Sequence, residues 1–289
     1  MSANVLTRED HLLHAAEAGW KAWLFTAFLV LELLVFAILP LSARLPVPPL
    51  LSVHAGLTAI LLLGAVLAAR SDAGRQYWRL LYAFFAAGAA VLLSGLLGGR
   101  LLEALRIVPI SAAWIALAKL SESLWRVLAI VALMAATGAD LRSMYLGKGR
   151  LGLGLAVGLA GFTVCAALAF VPVLLTAGGP GRLLALAPWI LTFVLANGFA
   201  EELLFRGLFL KRYEAFLGKT LSNLLAAVAF TLLHVQVTYV SELAVFLLVL
   251  FPLALTWGWL MQKTGSLWGS ALFHAGADCL LIFGIFGKV

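Results

Sequence analysis

Two adjacent glutamates and an arginine stand inside a stretch that is otherwise apolar on both sides, Asn197-Gly-Phe-Ala-Glu201-Glu202-Leu-Leu-Phe-Arg206-Gly207. A charged side chain at mid-bilayer costs roughly 2.5–3.5 kcal/mol on insertion scales, so ionisable groups there signal function. On a helix, Glu202 and Arg206 lie at i and i+4, close enough to pair. Glu201 points about 100° away around the same helix and has no such partner, which leaves it free for chemistry. Two later apolar runs carry Phe230-xxx-His234 and His274-xxx-Asp278. His274 and Asp278 again share one helical face.

Lone polar groups are not tolerated inside a bilayer, so these side chains are expected to converge on one another or on a small wet cavity. Glu201, His234, His274 and Asp278 around one cavity could bind a divalent metal such as zinc and leave a position open for water. They could equally activate water by general base catalysis, with no metal. Both routes lead to hydrolysis.

The elements that must position these groups follow from composition. The chain has 289 residues, 64% hydrophobic and 11% charged, with a mean hydropathy of +1.07. A soluble domain carries about 25% charged residues, so this is an all-α, polytopic transmembrane bundle. Apolar runs near the ~20 residues that cross a bilayer fall at 22–41, 51–69, 80–98, 109–137, 151–176, 183–200, 221–237, 243–262 and 267–286. Lys119, Glu122 and Arg126 interrupt the fourth, and residues 101–118 could instead form a re-entrant piece, so the count is eight or nine spans.

With nine spans, one side takes Arg8, Lys21, Arg70, Arg75, Arg79, Arg142, Lys148, Arg150, Lys211, Arg212, Lys219 and Lys263. The other takes Arg44, Arg100, Arg106, Lys119, Arg182 and Lys288. Excess Lys and Arg mark the cytoplasmic face, which puts the N-terminus inside. The net charge of +7 reads as this topology signal, not as a nucleic-acid surface, since no aromatic-interleaved basic patch occurs. Cys165 and Cys279 are far apart and offer no disulfide or zinc-knuckle spacing. Residues 1–19 carry Glu9, Asp10 and Glu17 and no small-residue cleavage site, unlike a signal peptide.

The motifs Glu201-Glu202-xxx-Arg206, Phe230-xxx-His234 and His274-xxx-Asp278, in this order on separate runs, resemble those of the CPBP (Abi) intramembrane proteases, which include the type II CAAX prenyl endopeptidases. The last motif has Asp where the prenyl proteases have Asn. The resemblance spans roughly 151–286. It implies that Glu201 activates the attacking water, and that His234, His274 and Asp278 complete the site as metal ligands or oxyanion partners. It implies too that Glu202 and Arg206 are the structural pair within the catalytic motif. The expected domains are a scaffold at 1–140 and a protease core at 151–289.

The expected partners are the lipid bilayer and a peptide or membrane-protein substrate: a prenylated CAAX protein, a peptide precursor or a membrane-anchored regulator. The Leu/Ala/Gly-rich composition has a bacterial look, placing the chain in an inner (plasma) membrane and arguing against prenylated substrates. Alternative readings are a proton-coupled transporter, for which no repeat between halves is visible, and a non-catalytic immunity or scaffold protein. His-Glu-xx-His, Gly-x-Gly-Asp and Gly-x-Ser-Gly, which mark other intramembrane proteases, do not occur.

Other polar residues are read more plainly. Glu32 and His54 are packing residues with one hydrogen bond each. Asn197, one turn before Glu201, either orients it or bonds another helix. Cys279 is apolar filler. Trp257 and Trp259 flank a packing contact at Gly258 and take no role. Gly154-xxx-Gly158, Gly265-xxx-Gly269 and Gly276 are small faces for close helix packing. One strain remains: counted from the ends of their runs, Glu201 lies about 27 Å deep and His274 about 10 Å. They can meet if the first helix continues past the membrane surface towards residue 217.

Overall fold

The structure, a computed structural model, describes residues 8–41 and 47–286. The expectations placed on Arg44, on Lys288 and on the first seven residues fall outside these. Every regular element among the described residues is helical: α1 (Arg8–Leu41), α2 (Val47–Arg70), α3 (Trp78–Ala104), α4 (Ala112–Ala136), α5 (Leu151–Leu174), α6 (Gly179–Glu201), α7 (Leu210–Leu233), α8 (Leu243–Thr264), α9 (Trp268–Asp278) and a short α10 (Ile282–Phe286). Among the described residues, eight stretches are long and apolar enough to cross a membrane, and the protein is an integral membrane protein.

The remaining long helix, α4, carries the three charges Lys119, Glu122 and Arg126. The two cations share one carboxylate along one face, with Glu122 3.4 Å from Lys119 and in contact with Arg126. A re-entrant piece at 101–118 does not form. Instead α3 runs to Ala104, and the Ser111 hydroxyl caps α4 by accepting from the Trp114 amide at 3.1 Å.

The aromatic core ties the first helices to the later ones. Phe28 of α1 stacks on Tyr213 of α7 with ring centres 5.5 Å apart, and Phe84 of α3 meets Phe209 at 4.7 Å. Fully buried Glu32 accepts from the Tyr213 hydroxyl at 2.9 Å, and the His54 Nε2–H donates to the Gly88 carbonyl at 2.8 Å. Each has the single bond expected of a packing residue.

Glycines set the approach of α5 to α9. A Cβ on Gly158 would stand 2.4 Å from the Gly269 carbonyl oxygen, and one on Gly276 would stand 2.2 Å from Phe162 Cα. Gly265 has a different purpose from the one its spacing suggests. Its φ of 68° closes the C-terminus of α8, where its amide donates to the Met261 carbonyl at 2.9 Å. Gly276→Ala is expected to cost about 1–3 kcal/mol through overpacking. A lowered thermal midpoint in detergent would show it, against a neutral Gly152→Ala, where a Cβ meets nothing within 4 Å.

The depth mismatch is resolved by the continuation of α6. The chain passes through a π-helical turn at Glu202–Gly207 into the first part of α7. At Gly218, φ 74° and ψ 173° break the helix, a conformation that suits glycine. The chain folds back there. Phe205 and Phe230, 13 residues before and 12 after Gly218, meet with ring centres 5.1 Å apart.

Candidate active site

The expected pair forms within the π-helical turn. Arg206 Nη1 donates to Glu202 Oε1 at 2.6 Å, and both side chains are fully buried. Local widening of a helix to i→i+5 bonding is common at functional sites. Arg206 Nη2 donates to the Ala254 carbonyl at 3.1 Å, and the guanidinium lies over the rings of Phe230 (4.8 Å) and Trp257 (5.4 Å). Buried charges persist when paired and hydrogen-bonded, as here.

Glu202 also organises α9. The Ser270 hydroxyl donates to Glu202 Oε2 at 2.6 Å, and His274 Nδ1–H donates to Glu202 Oε1 at 2.9 Å. That bond turns the other imidazole nitrogen, Nε2, towards Glu201 Oε2 and Asp278 Oδ1, each 3.6 Å away. Trp257 lies flat on the imidazole, ring centres 4.1 Å apart and planes 5° from parallel. Asn197 does not bond Glu201. Its Nδ2 donates to Asp278 Oδ2 at 3.0 Å, joining α6 to α9 at the second carboxylate.

His234 ends α7. Its Nδ1 lies 2.7 Å from the Phe230 carbonyl, which can only accept, so Nδ1 carries the proton and Nε2 presents a lone pair. Phe230 touches both imidazoles, with ring centres 4.4 Å from His234 and 5.6 Å from His274.

Glu201, His234, His274, Asp278 and Asn197 line one cavity of about 560 Å³. The Glu201 side chain is 17% exposed, and among the described residues none hydrogen-bonds it. Two further polar side chains line the cavity, Lys119 of α4 and Tyr239 of the loop after α7. Burial pushes the Tyr239 phenol well above its ordinary pKa, and the charges of Glu201 and Asp278 push it further, so it stands as a hydrogen-bond donor. Among the described residues, no three His, Cys, Asp or Glu side chains gather in an arrangement that could hold a metal ion. His274 commits Nδ1 to Glu202 and His234 commits Nδ1 to the Phe230 carbonyl, which leaves Nε2 of each without a hydrogen-bond partner among the described residues.

Trp257, Ser270, Lys119 and Tyr239 were not singled out by spacing. For Ser270 a signal existed, since it precedes His274 by one turn of α9. For Trp257, Lys119 and Tyr239 nothing local carried one, because each reaches the site from a different element.

Neither the curated proteins nor the solved structures give a match to the chain. A family model does, and its bounds, 183 and 280, enclose every residue of the three motifs. Residues 183–280, about a third of the chain, match the family model described as type II CAAX prenyl endopeptidase Rce1-like.

Proposed function

We propose that the cavity shared by α6, α7 and α9 is the active site of an intramembrane endopeptidase that uses glutamate-activated water. The observation that carries this reading is the pairing of an unbonded Glu201 with the Nε2 edge of a fixed imidazole, 3.6 Å apart on one cavity wall. Glu201 takes a proton from a water, and the oxygen forms a bond to the peptide carbonyl carbon. The Nε2–H of a protonated His274, with Asp278 held beside it by Asn197, faces the oxyanion that develops. When the carbon–nitrogen bond breaks, Glu201 returns its proton to the leaving amine. The Nε2 lone pair of His234 accepts an N–H of the bound backbone. Glu202 and Arg206 position His274 and touch no reacting atom.

In this reading residues 151–289 hold the chemistry, and residues 1–140 are a scaffold whose α4 adds Lys119 to the cavity wall. The N-terminus is cytoplasmic, the membrane is a bacterial plasma membrane, and the substrate is a peptide or a membrane-anchored protein. The test is cleavage of a quenched peptide library by the full chain in detergent, with and without chelator. Cleavage supports the reading. Its loss on chelation would assign a metal such as zinc a part that the water mechanism does not need. No cleavage of the library or of membrane-anchored substrates would count against the enzyme and for a binding-only protein.

Trp257→Ala is expected to lower the cleavage rate about two- to tenfold, the equivalent of the ~0.5–1.5 kcal/mol that a stacked ring contributes. Trp257→Phe should recover most of it. Equal losses in both variants would mean that stacking on His274 is not what Trp257 supplies.

A further inference from the structure

A second cavity, of about 510 Å³, opens where α3 and α7 begin and α4 ends. It shares no lining residue with the catalytic cavity. Arg79 comes from the first turn of α3, and Lys211 and Arg212 from the first turn of α7. These three cations face a single lining carboxylate, Asp140, whose Oδ1 is engaged in capping the next turn by accepting from the Arg142 amide at 3.0 Å.

The two arginines are not neutralised. Among the described residues neither has an acidic group within 4.0 Å, and they lie close enough to repel each other. Arg212 spends one nitrogen on the Leu208 carbonyl, while its Nε is buried with no partner among the described residues. The Ser143 hydroxyl on the same wall is also buried without a partner. A buried N–H and a buried O–H left unsatisfied each carry a desolvation cost, and native structures leave few of them.

Residues that serve only as topology signals need to be neither convergent nor buried. Here the charges converge, and Arg212 and Ser143, which carry the unpaired donors, line the same cavity. A guanidinium fork and a hydroxyl match the oxygens of a phosphate better than those of a monovalent ion. Trp78 and Tyr82 line the same cavity, an apolar and aromatic wall of the sort found at the headgroup level of a bilayer.

We propose that this cavity binds a phosphate group through Arg79, Lys211, Arg212 and the Ser143 hydroxyl, supplied by an anionic phospholipid headgroup or by a free phosphate.

The test uses the purified full chain. In one arm, lipid retention is read by native mass spectrometry from micelles holding phosphatidylglycerol or phosphatidylcholine. In the other, the thermal midpoint is followed with inorganic phosphate against chloride at equal ionic strength. The variants are Arg79→Gln, Arg212→Gln and Ser143→Ala. Arg75→Gln serves as the control, since Arg75 lies outside the cavity, 3.7 Å from Asp72 in an exposed turn. Wild type and Arg75→Gln are expected to bind the phosphate source alike, and Arg79→Gln about tenfold more weakly. Retained phosphatidylglycerol assigns the lipid, and saturable stabilisation by phosphate alone assigns the free ion. Should Arg212→Gln not fold, exposed Arg79 and the charge-neutral Ser143→Ala carry the test. Equal losses in Arg75→Gln and Arg79→Gln would overturn the site in favour of general surface charge. No preference for either phosphate source over its control would overturn it outright.

Discussion

Glu201→Gln is expected to lower the hydrolysis rate by about 10²–10⁴-fold, the range supplied by a positioned general base, with the thermal midpoint unchanged. The two halves of this expectation have separate grounds. A glutamine keeps the shape of the side chain but has no lone pair basic enough to take a proton from water. Stability is insensitive because Glu201 contributes no hydrogen bond to a described residue, is partly exposed to the cavity, and lies 3.6 Å from His274. The measurement is cleavage of one identified peptide under single-turnover conditions, beside a melting curve on the same preparation. Equal cleavage by both proteins would remove Glu201 as the base and with it the proposed mechanism.

Arg206→Ala should have the opposite signature: a loss of about 3–5 kcal/mol of stability, as for a buried pair broken on one side. Glu202 would keep its bonds to Ser270 and His274 but lose the guanidinium, while fully buried. Glu32 is also buried and lies within the field of the same guanidinium, so a second carboxyl feels the loss. Glu202→Gln should cost less, since an amide can still accept from Ser270 or His274, though Arg206 is then left without its anion. Yield and thermal midpoint are the readouts. Activity in Glu202→Gln should fall further than the folded fraction does if its bond to His274 sets the imidazole, and only in proportion to it if Glu202 is purely structural. A stable Arg206→Ala protein with abolished turnover would place Arg206 at the reacting atoms instead.

What could be read along the chain was whatever depends on neighbours a few residues apart. Hydropathy over about twenty residues gave the helices. The i,i+4 rule gave the Glu202–Arg206 pair and the shared face of His274 and Asp278, because on a helix such pairs are neighbours whatever the rest of the molecule does. The isolation of Glu201 followed from the same geometry. The need of bilayer interiors for paired polar groups brought His234 and His274 towards Glu201 without saying how.

The remainder was decided by packing between elements distant in sequence. Asn197 bonds Asp278, 81 residues on, and not Glu201 one turn away. Trp257 became the platform of His274 only because α8 crosses α9 at that height. Gly265 caps a helix where its spacing suggested a packing face. Residues 101–118 divide between a helix end and a capped helix start, which a hydropathy window cannot separate. The depth argument asked only that the helix continue towards residue 217, and the reversal at Gly218 with its positive φ belongs to the folded chain. In each case many individually weak contacts choose among arrangements that the local sequence permits equally. The sequence by itself determined a membrane-embedded helical chain and the identity of its intramembrane polar groups. The tertiary structure alone decided which of those groups meet.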